Sequence, residues 1–156
     1  MPSMKNIQSI LKNWVERNIW YGVGDVGIGI PITYRKRFTL AEVNAGAALL
    51  PALAGFKYRL IAAKAISIGG AATTGGTVDI LATAAAAVRK LVAFAQASLT
   101  QSTVLTDGGA GAAVLADGAS YTANDANTDV TVGKTGSSFT VATHFDVILT
   151  YVIERV

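Results

Sequence analysis

THFDVILTYVIERV, residues 143–156, decides the fold. Phe145, Val147, Leu149, Tyr151 and Ile153 occupy one set of alternate positions, while His144, Asp146, Thr150 and Glu154 share the other set with Ile148 and Val152. A period of two residues with one wholly apolar face is that of a β-strand laid on a core. The sequence before it is a series of short apolar runs punctuated by Gly, Ala, Thr, Asn and Asp. This texture predicts an all-β shell poor in groups that do chemistry, so function is sought in surfaces and assembly.

Working outward, 156 residues suffice for one domain with its own core plus an arm, and are too few for two ordinary domains. Charged residues make up 15% of the chain, against roughly 25% in an average globular protein. So little charge suggests a surface partly covered by copies or partners. The formal net charge is +3, from thirteen Lys and Arg against ten Asp and Glu. Arg35, Lys36 and Arg37 form the densest basic group, and the later basic residues are dispersed along the chain. Phosphate tracking needs a wider basic stripe interleaved with aromatics, so no nucleic-acid partner is expected.

The chain has no cysteine, which excludes disulfides and thiolate metal sites. Its first residues, MPSMKNIQSILKNW, lack the sustained apolar segment and small-residue cleavage site of a secretory signal, so export by that route is not expected. The most apolar region, residues 41–72, is broken by Pro51, Gly55, Lys57, Arg59 and Lys64. A bilayer span needs about 20 predominantly apolar residues, so no membrane helix is predicted.

Ile7, Ile10, Leu11, Trp14, Val15 and Ile19 recur at spacings of three or four, with Lys5, Lys12, Glu16 and Arg17 on other positions. This spacing predicts a short amphipathic helix over residues 6–21, which must pack its apolar stripe on something to persist. Glycines 22, 24, 27 and 29 and Pro31 then read as a connector. The expected organisation is an N-terminal arm, 1–31, and a β-sandwich body, 32–156. Trp14 and Trp20 suit either a membrane interface or a protein groove, and with Glu16 and modest positive charge the groove is the better fit.

In the body, strands are expected at 34–39, 56–68, 77–83, 88–96 and 143–156, with shorter runs near 103–106, 112–115, 120–122, 130–132 and 139–142. Thr39 with Glu42 three residues on has the form of a capping box for one helical turn, ended by Asn44, Ala45 and Gly46. Pro51 makes 49–53 an edge or irregular segment. Ala84–Ala87 has helical propensity but is flanked by β-branched runs. Seven to nine of these runs as short strands, without long helices, predict a sandwich or barrel, with jelly-roll or related Greek-key connections as the natural arrangement.

Motifs with chemical meaning fail on context. GVGDVG, 22–27, matches GxGxxG, but a helix candidate precedes it and a proline follows, where dinucleotide binding needs a strand before and a helix after. Gly133, Lys134 and Thr135 resemble the end of a phosphate-binding loop, yet residue 128 is Thr where the pattern needs Gly. Asp125, Asn127 and Asp129 have calcium-loop spacing, but Val130 and Gly136 stand where Gly and a bidentate Glu are required. Turn formation is the default for those three, and a looser cation site stays open. His144 is the sole histidine, too little for a triad or a zinc site without further partners. With Glu16, Glu42 and Glu154 the only glutamates, a paired-carboxylate hydrolase has little support. No cofactor, metal or catalytic residue is predicted.

FTLAEVNAG (38–46), LLPALAGFKYRL (49–60), GGAATTGGTVDIL (69–81), ADGASYTANDANTDVTVGKTG (116–136) and ATHFDVILTYVIE (142–154) together resemble a group of small tailed-phage and prophage structural proteins. The resemblance implies a capsid decoration, or cement, protein whose jelly-roll body sits as a homotrimer on the outer surface of the head, with the major capsid protein as partner. Related bodies occur in head fibres and tail-associated receptor-binding parts, which is the alternative location. The arm lies outside the resemblance. On the cement reading, Ile7, Ile10, Leu11, Trp14, Ile19 and Trp20 would grip a groove of the shell, and His144, Asp146, Ile148 and Val152, on the second face of the closing strand, would meet a neighbouring subunit. The expected location is the virion surface, after assembly in the host cytoplasm.

Overall fold

A computed structural model describes residues 30–74, 76–114 and 123–156. Among them the chain forms nine strands: β1 (Ile32–Thr39), β2 (Ala47–Leu50), β3 (Phe56–Ile68), β4 (Thr77–Ala84), β5 (Ala87–Ala95), β6 (Val104–Thr106), β7 (Ala112–Val114), β8 (Val130–Thr135) and β9 (His144–Arg155). One short helix, α1 (Leu40–Ala45), and a 3-10 turn at Gln96–Ser98 complete the elements. The helix expected over 6–21 and the run at 120–122 lie outside the described residues.

The strands form two antiparallel sheets in the orders β1-β9-β3-β6 and β2-β8-β4-β5-β7. They enclose one core, an all-β sandwich. The expected closing strand is β9, central in the first sheet between β1 and β3. Phe145, Val147, Leu149 and Tyr151 point into the core, each 9% exposed or less. Facing strands of the second sheet contribute Val78, Ile80, Val92, Phe94, Val130 and Val132. A fully buried side chain of this kind stabilises the fold by about 1.5–3 kcal/mol.

Alternation along β3 is interrupted by a bulge between Leu60 and Ala62. Tyr58 and Leu60 face the core before it, and Ala63, Ala65 and Ser67 after it. The small residues lie opposite Leu149, Val147 and Phe145 of β9, so large side chains on one strand fill the space left by small ones on the next. Ser67 satisfies its buried hydroxyl by donating to Gly70 O at 2.7 Å.

α1 starts as its capping box requires. Thr39 N–H donates to Glu42 Oε2 at 2.7 Å and Glu42 N–H to Thr39 Oγ1 at 3.3 Å. The Glu42 carboxylate is held below its usual range by the bonds it accepts from Thr39 N–H and, at 2.8 Å, from Thr39 Oγ1. Asn44, near the helix end, donates to Phe139 O at 3.1 Å and accepts from Phe139 N–H at 2.8 Å. Residues 139–142 are therefore not a strand. They are an extended loop joined to the body by Asn44 and by a bridge between Thr73 and Thr140, with Phe139 buried edge-on against Phe145.

Candidate functional site

The antiparallel register lays out the outer face of the first sheet row by row. Arg37, Asp146 and Ile66 lie across β1, β9 and β3, with Val104 of β6 next in line. Arg35, Ile148, Lys64 and Thr106 form the following row, then Thr33, Thr150 and Ala62. Val152 with Arg59, and Glu154 with Lys57, continue it to the far end. At about 3.3 Å per residue the rows from Asp146 to Glu154 extend about 26 Å.

Two carboxylates sit beneath this surface. Asp146 is fully buried and is bridged by Arg35 and by Arg37, whose Nε and Nη2 reach Oδ1 and Oδ2 at 2.7 and 3.1 Å. Glu154, 4% exposed, receives Arg59 Nε at 2.6 Å and Nη2 at 3.2 Å, with Lys57 Nζ at 3.7 Å. The hydrogen bond from Arg37 dominates in holding the Asp146 carboxyl below the usual carboxylate range, against the opposing effect of burial. The same bond raises Arg37, and the Glu154 hydrogen bond raises Arg59. Arginine forks on carboxylates are directional, so these guanidinium groups are held in fixed places on the sheet.

Five cationic side chains, Arg35, Arg37, Lys57, Arg59 and Lys64, thus share one face with two carboxylates, leaving three positive charges in excess. Elsewhere among the described residues Lys36, Arg89, Lys90, Lys134 and Arg155 are balanced in number by Glu42, Asp79, Asp107, Asp125 and Asp129. The whole excess of the described side chains is therefore on this sheet face. The expectation of dispersed basic residues holds along the sequence and fails in space. Arg35 with Arg37, and Lys57 with Arg59, are spaced by two, the strand period that puts each pair on one face. Cross-strand register, which brings the pairs together, has no local sequence signal. Lys36, between the two arginines, turns the other way and donates to Ala48 O of β2 at 2.6 Å.

His144, Asp146, Ile148 and Val152 do share the outer face of β9. Asp146 and Val152 are completely covered within the single chain, whereas His144 and Ile148 are half-buried. A partner reaching this face would touch the arginine and lysine heads, Ile148 and His144, with Asp146 acting underneath. The His144 ring lies against its sequence neighbour, Nδ1 3.0 Å from Thr143 Oγ1. Ile7, Ile10, Leu11, Trp14, Ile19 and Trp20 of the arm lie outside the described residues.

The segment with calcium-loop spacing has a structural task. Asn124 N–H donates to Tyr58 O, Asn127 N–H to Phe56 O, and the Asn127 side chain accepts from Gly55 N–H at 2.7 Å, all at the β3 end of the first sheet. The Asp125 carboxylate accepts from Ala85 N–H at 3.0 Å and Ala86 N–H at 2.7 Å, in the β4–β5 turn of the second sheet. One loop thereby fastens both layers. Among the described residues no group of three His, Cys, Asp or Glu could hold a metal ion, and no helix is long and apolar enough to cross a membrane. No protein-family model, curated protein or solved structure matches the chain.

Proposed function

We propose that the chain is a virion structural protein, a decoration or cement protein that binds the outer surface of a tailed-phage head as a homotrimer and stabilises the shell. The observation that carries this reading is the nesting of strand partners. Leaving aside the short edge strand β7, the first strand pairs with the last (β1 with β9), the second with the seventh (β2 with β8), the third with the sixth (β3 with β6) and the fourth with the fifth (β4 with β5). A long eight-stranded hairpin wrapped over a barrel would yield such nesting, which supports a jelly-roll body, a common plan for viral shell components. The five segments quoted above, from FTLAEVNAG to ATHFDVILTYVIE, add the resemblance to head-surface proteins.

Rigidity without disulfides suits such a role, because the sandwich is fastened at one end by the 123–129 loop and across one face by ion pairs. The major capsid protein is the proposed partner, and the N-terminal arm, through Ile7, Ile10, Leu11, Trp14, Ile19 and Trp20, the proposed grip on it. Electron microscopy of intact particles tests the location: density for the chain at three-fold and quasi-three-fold positions of the head is expected, and density confined to the tail would overturn the reading. Deleting residues 1–31 should leave a folded trimer that no longer binds heads, and undiminished binding would remove the arm from the mechanism.

A further inference from the structure

We infer that the outer face of the β1-β9-β3-β6 sheet is a docking surface for an acidic protein. Its three surplus positive charges are the full excess of the described side chains, and they are spread over about 26 Å rather than gathered at one point. Apposing this face to its own counterpart on a second copy would set surplus against surplus, so an identical face is a poor partner and an acidic surface a good one.

The chemistry between the charges selects a protein over a nucleic acid. Ile66, Ile148 and Val104 lie among the cations, and Val104 is 51% exposed. The outward residues of these strands include no Phe, Tyr or Trp on which bases could stack. Arginine is enriched at protein interfaces, and the aliphatic side chains between the cations give a protein partner apolar surface to bury. Asp146 and Glu154 make the surface selective in another way. They fix Arg37, whose side chain stays 53% exposed, and Arg59, 39% exposed, before any partner arrives. Less side-chain freedom is then lost on binding.

The inference rests on the charge and register of the sheet and not on the virion reading, so the two can fail separately. Binding of the full chain to poly-L-glutamate at low salt is the direct measurement, with a single-stranded oligodeoxynucleotide of equal charge as the competing probe. Lys57→Gln/Lys64→Gln leaves Asp146 fully paired and Glu154 with Arg59, and should weaken polyglutamate binding about tenfold, with a flatter salt dependence. Arg89→Gln/Lys134→Gln removes the same charge from elsewhere and should change binding by less than about twofold. Lys64→Gln alone, which touches neither carboxylate, should still weaken it if the double variant melts early. Equal losses in the two double variants, no polyglutamate binding by the parent, no loss with Lys64→Gln, or tighter binding of the oligonucleotide would each overturn the assignment.

Discussion

Arg37 grips Asp146 with two nitrogens, Nε on one carboxylate oxygen and Nη2 on the other, while its own side chain remains half in water and the carboxylate is wholly buried. This asymmetry sets an order among variants. Removing both Arg35 and Arg37 strands a buried anion, whereas Asp146→Asn leaves two cations that water can solvate. Arg35→Ala/Arg37→Ala should therefore lower the urea midpoint more than Asp146→Asn. The reverse order would show that the carboxylate gains its stability from something other than the arginines.

The same pair sets the acid limit. The folded-state pKa of Asp146 lies below its unfolded value of about 3.9, so its contribution is full at neutral pH and is lost as pH falls from about 4 through the folded pKa. Glu42, also lowered, acts in the same direction. Thermal melts across that range should show a shallower acid decline for Asp146→Asn than for the parent.

Tyr58 and Tyr151 lie edge to face, their ring centroids 5.5 Å apart, and burial is the main cause raising both phenols above the ordinary value. Their stabilising contribution is present below the unfolded pKa of about 10 and disappears as pH rises through the folded values. Alkaline unfolding should accordingly begin above about pH 10, and Tyr151→Phe should move it upward. Tyr58→Phe tests the phenol less cleanly, because its hydroxyl also donates to Pro51 O at 2.7 Å.

Ala85 and Ala86 form the two-residue turn between β4 and β5 with φ of 53° and 57°. Both angles are left-handed, which costs a residue with a Cβ roughly 1–2 kcal/mol, and the Asp125 carboxylate offsets this by accepting both amides. Asp125→Ala should destabilise by about 1–2 kcal/mol in equilibrium unfolding. Ala85→Asn/Ala86→Gly, the sequence such a turn prefers, should recover much of the loss.

Asn124 is buried and serves three groups, accepting from Tyr58 N–H and donating to Thr128 O at 3.0 Å and Thr128 Oγ1 at 2.9 Å. Asn124→Ala leaves the Tyr58 amide without that acceptor at the end of the core, a loss of about 1–3 kcal/mol. Asn124→Asp, which keeps the acceptor and loses the donors, should fall between the two in a denaturant titration.

Which parts of this architecture were legible in the sequence follows from how local each signal is. β9 and the span of β3 follow from alternation and length, and α1 from Thr39 and Glu42. The inward face of the second half of β3 does not, because one bulge at Leu60/Ala62 turns Ile66 and Ile68 outward and places Ala63 and Ala65 in the core. Phe139–Ala142 reads as a strand by composition, but Asn44 supplies from its side chain the two hydrogen bonds to Phe139 that a strand neighbour would have made. For the candidate site, the two-residue spacing of Arg35 with Arg37 and of Lys57 with Arg59 is visible in the chain. Their convergence on Asp146 and Glu154 depends on pairings across β9 that only the folded sheet establishes.

Among the described residues β1 has β9 as its sole neighbour in its sheet, and the Arg37–Asp146 contact spans 109 residues. During synthesis β1 therefore emerges from the ribosome long before the strand it needs, with its backbone edge and Phe38 waiting in water or on a chaperone. Folding of the sheet is gated by translation of residues 144–155, and a chain stalled short of them would expose β1 and β3 together, the two edges that β9 exists to separate.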